Sequence, residues 1–284
     1  MSKRDILVLV EGEKTDVSLM EALFASYEID QRHQLVFYGT SLYALYNSMF
    51  KGKEVGDIDL FLHLREHEKD PVKKTLFDQS KRYSEIVLIF DFDPQDREFS
   101  TTAIREMSQY FTDSTDTGKL YINYPMVEAF YHVKSIPDSD YDGSIASLAE
   151  LKNHLYKSRV HQESAITDRK EFVAKKSNCD IVVQQNIDKA WRIVQKARSD
   201  DGKDSPVPVQ PDILNKQLEK LSVEKAVYIL CTCAFYYSGL QSKTDWVIIN
   251  STARTYIAPP PKPKSLCLQE TQGFCVFDDI FIIY

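Results

Sequence analysis

Ile6-Leu7-Val8-Leu9-Val10-Glu11-Gly12 is the stretch that decides the fold of this 284-residue chain. Five apolar, β-prone residues in an unbroken run suit a strand buried on both faces, and such strands belong to parallel sheets covered by helices. Gly12 closes the run. From Asp16 to about Ile29, Val17, Leu19, Met20, Leu23 and Phe24 fall on one helical stripe. Outward from this first unit the pattern repeats. Gln34–Tyr38 reads as a strand, Leu42 to Phe50 and Asp57 to about Glu66 as helices, and Glu85–Phe90 as a second buried strand. A helix over Thr101 to Phe111, a strand at about Leu120–Tyr124 and a helix from Val127 follow. Strands alternating with helices predict βαβ units, a mainly parallel α/β sheet, and ligands at the carboxyl edge of its strands.

After about residue 140 the character changes, so two parts are expected: 1–140, the sheet, and 141–284, a mainly helical extension. Segments near 145–158, 180–198, 212–222 and 223–239 read as helices, and Asp200–Pro211 as a polar loop. Ala258–Lys264, with Pro259, Pro260, Pro261 and Pro263, predicts an extended spacer. Phe274–Tyr284 is apolar and β-prone, a strand that needs cover from the body or a partner.

The net charge of −7 is unevenly spread. Residues 1–150 hold 16 Lys and Arg against 27 Asp and Glu; residues 151–200 hold 11 against 6. An acidic half beside a basic segment suits a metal site coupled to a polyanion-binding surface, and solvated helices give similar asymmetry. Five cysteines without C-x-x-C spacing argue against structural zinc, and Cys231 and Cys233 read as buried thiols in an apolar helix. Nothing in the chain approaches a signal-peptide core or a membrane span, and free thiols fit a reducing compartment, so a cytoplasmic protein is expected.

Three pieces carry chemistry. Glu11 ends a wholly apolar strand, where ligands bind, and Gly12 is read as the residue that turns the backbone there. Glu13 and Asp16 are further acids at the helix start, where the helix dipole alone would favour them. Asp91-Phe92-Asp93 follows the second buried strand, and residues i and i+2 of a strand share a face, so both carboxylates should lie together. Paired carboxylates repel unless a cation shares them, and Mg²⁺ is a hard cation suited to one or two carboxylates plus substrate phosphate. Asp96 is a further ligand or a turn cap. Ile122-Asn123-Tyr124-Pro125-Met126-Val127-Glu128 places another acid near the same edge. His132, His154 and His161 read as structural. No Walker A, G-x-G-x-x-G or G-x-S-x-G sequence occurs.

An E-G turn after the first strand and a D-x-D after the third resembles the Toprim fold of topoisomerases, primases and OLD-type and RloB-like nucleases. Glu11-Gly12-Glu13-Lys14-Thr15-Asp16 is most similar to the small Toprim proteins of phage defence, RloB-like proteins and the PARIS-system effector among them. The resemblance covers roughly residues 5–132. Pro125 and Glu128 match an Asn-Pro-x-x-Glu stretch of RloB-like proteins, although Tyr124 intervenes after Asn123.

The resemblance implies a Mg²⁺- or Mn²⁺-dependent endonuclease acting on RNA (transfer RNA included) or DNA, the toxic effector of an abortive-infection system. It implies Glu11 as a catalytic acid or base or a metal ligand, and Asp91 and Asp93 as the residues that hold the metal; Glu13 is a second catalytic candidate from its place beside Glu11, and Asp16, Asp96 and Glu128 are additional candidates. Lys152, Lys157, Arg159, Arg169, Lys170, Lys175 and Lys176 are the expected phosphate-backbone contacts. A partner ATPase is expected, and a homodimer is allowed. The competing reading is a Toprim scaffold of little activity that docks on that ATPase; a primase or topoisomerase fits less well, since extra domains are lacking.

Overall fold

Strand β1, Asp5–Val10, is buried at all six positions and lies inside a sheet with a strand on either side, as its unbroken apolar run requires. The structure, a computed structural model, describes residues 5–28, 32–53, 58–77, 83–195 and 207–238. These fall in one compact unit, Met1–Gln241. The Pro-rich stretch from 258, the apolar tail from 274, Cys267 and Cys275 lie outside the described residues.

Among the described residues the main sheet has five strands in the order β2-β1-β3-β5-β4. β2 (Arg32–Phe37) and β3 (Tyr83–Asp91) flank β1, and β5 (Gly118–Asn123) adds to β3; all four run parallel. β4 (Thr112–Asp113) is a two-residue antiparallel edge. The carboxyl ends of β1, β3 and β5 therefore share one edge, which delivers Glu11, Asp91 and Asn123 to it.

Helices cover the sheet: α1 (Thr15–Ser26), α2 (Leu42–Met49), α3 (Leu60–His67), α4 (Pro71–Phe77) and α5 (Thr101–Tyr110). α1 buries Leu19, Met20 and Leu23, with Val17 and Phe24 half-buried at the stripe's margins. Side-chain oxygens of Ser41, Asp59 and Ser100 cap α2, α3 and α5 by accepting a backbone N–H three residues on. Helix α4, packed on α3, has no counterpart in the sequence reading.

Beyond residue 140 the described chain is mostly helical: α6 (Leu148–Lys152), α7 (Tyr156–Glu163), α8 (Arg169–Ala174), α9 (Lys176–Val194), α10 (Gln210–Glu224) and α11 (Phe235–Ser238). Two helical readings need correction. The stretch 145–158 begins as strand β6 (Ile145–Ser147) and breaks into α6 and α7 around His154, at φ +57°. The stretch 223–239 is largely not helical: Lys225 (φ +53°) ends α10, and β7 (Ala226–Tyr228) pairs antiparallel with β6. A short apolar run does not reveal by periodicity whether it is helix or strand, and here pairing with β6 decides. Cys231 and Cys233 therefore lie in a buried non-helical segment beside the end of β5, where Tyr124 and Leu230 exchange backbone hydrogen bonds of 2.8 Å. Among the described residues no helix is long and apolar enough to cross a membrane.

Candidate metal centre

Glu11 is the first residue past β1, and its Oε2 accepts the backbone N–H of Asp91 at 3.1 Å. Asp91 ends β3, and its Oδ1 accepts the backbone N–H of Val127 at 2.9 Å. Val127 opens the 3₁₀ helix Val127–Tyr131, five residues where a regular helix was expected, and Glu128 follows within it. Hydrogen bonds thus link three distant stretches of chain at one sheet edge.

Asp93 reaches that edge by a different route from the one its spacing suggests. The strand stops at Asp91, and Asp93 takes a left-handed conformation, φ +37°. Its N–H donates to Pro125 O at 3.2 Å, and its Oδ1 accepts from Gln95 Nε2 at 2.9 Å. Phe92 between them is fully buried, its carbonyl held by the hydroxyl of buried Tyr43.

Asp16, in the first turn of α1, is buried and points back under the turn. Gly12 makes the room: a Cβ there would lie 2.3 Å from Asp16 Oδ2. Gly12 does not adopt positive φ, so it is the space for a carboxylate, rather than a left-handed turn, that demands glycine.

The electrostatics of this group are those of an under-neutralised acid cluster. Burial, then the charge of Asp93, raises Glu11 to about 8, against the opposing hydrogen bond from Asp91 N–H. Burial, then Glu128, raises Asp16 to about 6. Burial raises Asp93 to about 6, although Gln95 and Lys157 pull it down. Asp91 is held well above the usual carboxylate range by burial and by the charges of Asp16, Asp93, Glu11 and Glu128. Among the described residues, Lys157 is the cation whose charge reaches Asp16 and Asp93, with Nζ 3.0 Å from Glu128 Oε1. Buried Asp16 Oδ1 and Glu128 Oε2 have no hydrogen-bond partner. Hard oxygen donors, excess negative charge and unsatisfied buried acceptors fit a divalent cation such as Mg²⁺ or Mn²⁺. Among the described residues, no three His, Cys, Asp or Glu side chains form a preformed ligand set.

The pH dependence of stability follows. A carboxyl whose folded pKa is raised stabilises the fold below its unfolded pKa and loses that contribution as pH rises through the folded value. With chelator present, the melting temperature should fall by about 5–10 °C between pH 5 and pH 8 as the cluster ionises. His63, which burial lowers to about 4, and His132, which burial also lowers, act in the opposite sense below the usual imidazole range. Two rings oppose four carboxyls, so the carboxyls prevail. Thermal melts across that range, with and without Mg²⁺, check this; a melting temperature that rises steadily with pH under chelation contradicts it.

The remaining sequence candidates divide. Glu13 is exposed on the turn and is not among the charges that shift Glu11. Asp96 caps its own turn by accepting Glu98 N–H at 2.7 Å, and its charge reaches Glu11 and Asp93. Lys157 joins the acid cluster. Arg159 is tied to Glu150 at 3.0 Å and to Ile145 O at 2.8 Å. Lys175 pairs with Glu171 and Lys176 with Asp180, each one helical turn away, and Arg169 lies over the Tyr131 ring. Lys152 and Lys170 are exposed.

His132 is buried with both ring nitrogens engaged, by Tyr156 Oη at 3.2 Å and Glu163 Oε2 at 3.1 Å, which agrees with a structural histidine. It borders a separate cleft of about 550 Å³ with Lys134, Asp138, Arg159 and Glu163. Sequence reasoning missed Tyr43 and the service of Lys157 at the cluster; only the topology brings either to this edge.

Compared with known proteins, the chain matches no family model, no curated sequence and no solved structure.

Proposed function

We propose that the protein is a Toprim-type, Mg²⁺- or Mn²⁺-dependent endonuclease that hydrolyses phosphodiesters of RNA, transfer RNA included, or DNA, and serves as the toxic effector of an antiphage abortive-infection system. One observation carries this reading. Glu11, Asp16, Asp91, Asp93 and Glu128, from distant parts of the chain, meet at the carboxyl edge of a parallel sheet with one lysine among them and two buried acceptors unsatisfied. A protein core does not gather such charge without a compensating ligand or function.

Asp91, Asp93 and Glu11 would hold the cation, with the charges of Asp16 and Glu128 close by. When bound, it supplies Lewis-acid stabilisation of charge on the phosphoryl group and a water of lowered pKa. Glu11 uses Oε2 to accept Asp91 N–H, which leaves Oε1 to take the proton of an attacking water. Burial of Asp16 and Glu128 keeps the field of these charges strong. Exposed Lys152, Lys170 and Arg169 are suited to steer and hold a phosphate backbone.

The lack of a preformed ligand set among the described residues also supports the second reading, an interaction module docking on a partner ATPase. The two separate experimentally. As a nuclease, the protein should gain several degrees of melting temperature in millimolar Mg²⁺ or Mn²⁺, and Asp91→Asn should remove that gain. Sequencing of cellular RNA and DNA ends after induced expression should show new cleavage sites. Indifference to both ions, with intact nucleic acids, would leave the module reading in place.

A further inference from the structure

Lys157 is an odd residue to find where it is. It occupies the first turn of α7, where the helix dipole disfavours a cation, and that helix has no side-chain cap. Its side chain is 65% exposed while that of its partner Glu128 is 5% exposed, so the lysine reaches in from solvent toward a carboxylate fixed in the interior. The pair is also incomplete: Lys157 contacts Oε1 at 3.0 Å and leaves buried Oε2, along with Asp16 Oδ1, unsatisfied. Asp91 and Asp93 contribute to its environment as well. Among the described residues, an ammonium on an exposed four-carbon stem is thus the resident neutraliser of an acid cluster that still carries unsatisfied negative charge.

Resting on the metal-dependent reading above, we propose that Lys157 is a built-in counter-ion that a divalent cation displaces from Glu128, and that the freed ammonium then contacts the phosphate of the nucleic acid. Each half follows from charge. A second cation cannot enter the cluster without repelling the first, and the lysine, anchored only at its tip, is the one able to move out. Once outside it stands at the mouth of the site, where a polyanion arrives. Metal binding and substrate binding become coupled through one side chain, and the coupling is reciprocal.

Lys157→Gln and Lys157→Arg test this in the full chain. Calorimetric titration with Mn²⁺ should show about tenfold tighter binding for Lys157→Gln than for the wild type, and near wild-type affinity for Lys157→Arg. With Ca²⁺ in place of a catalytic ion, Lys157→Gln should bind a single-stranded oligonucleotide about tenfold more weakly than the wild type, and without a divalent ion equally well. Mn²⁺ binding by the wild type with no gain in Lys157→Gln overturns the counter-ion role and spares the metal site. An oligonucleotide defect of equal size with and without Ca²⁺ overturns the exchange. Mn²⁺ binding by none of the three overturns the metal-dependent reading itself.

Discussion

Glu11→Gln is expected to fold, to bind nucleic acid, and to lose cleavage or cellular toxicity by about 10²–10⁴-fold. The amide keeps the size of the side chain and an oxygen that accepts Asp91 N–H, so the bond that ties β1 to β3 survives. What disappears is a charge crowded by Asp93, Asp16 and Asp96. Its loss relieves repulsion, so in chelator at pH 8 the variant should melt several degrees above the wild type while being inactive. Stability gained as activity is lost separates a functional carboxylate from a structural one, which would give a destabilised protein. The pair of measurements is a thermal melt and a single-turnover cleavage assay, or a plating assay where the substrate is not in hand. Full cleavage by a folded Glu11→Gln protein would sink the mechanism proposed for this edge.

The second large effect concerns stability at a place remote from any sequence motif. Lys189, in the middle of α9, is 1% exposed, and its ammonium donates to Tyr141 O at 2.7 Å, Ser144 O at 2.9 Å and Ser144 Oγ at 2.8 Å, with the Tyr141 ring beside it. Burial lowers its pKa to about 7. Lys189→Ala deletes the buried stem and its three hydrogen bonds, although Tyr141 O keeps the N–H and hydroxyl of Ser144 and Ser144 O keeps Ile229 N–H, at a cost of about 3–5 kcal/mol. For a unit of this size that is a fall of about 6–15 °C in melting temperature. Equilibrium denaturation gives the number directly; a change under 1 kcal/mol would mean that water reaches those oxygens.

Lys189 shows where sequence stops being informative. In a chain it is one basic residue on a helix, indistinguishable from Lys175 or Lys176, which pair at the surface. Which of the three is buried depends on where the loop around Tyr141 returns, and no local pattern records that. The β1 run and Glu85–Phe90 were legible because burial on both faces leaves a continuous apolar signature. Glu11 and Asp91 were legible as candidates for the related reason that a carboxylate ending such a run stands at the sheet edge, although the backbone N–H each accepts there was not. Asp93 was legible in position but not in conformation, since strand alternation ceases one residue after Asp91. The 223–239 stretch was misread because its partner strand, Ile145–Ser147, lies some eighty residues earlier.

The chain of bonds from Glu11 to Asp91 N–H and from Asp91 to Val127 N–H spans separations of 80 and 36 residues. Each acid at this edge therefore helps to seat the next one, so their substitutions interact. A double alanine replacement at Glu11 and Asp91, which unlike Glu11→Gln removes both hydrogen bonds, should cost less than the sum of the two single alanine variants, because the first already loosens what the second removes. For evolution this makes the edge an epistatic unit: a lineage that loses one of these carboxylates relaxes selection on the others together, and is expected to shed them as a set.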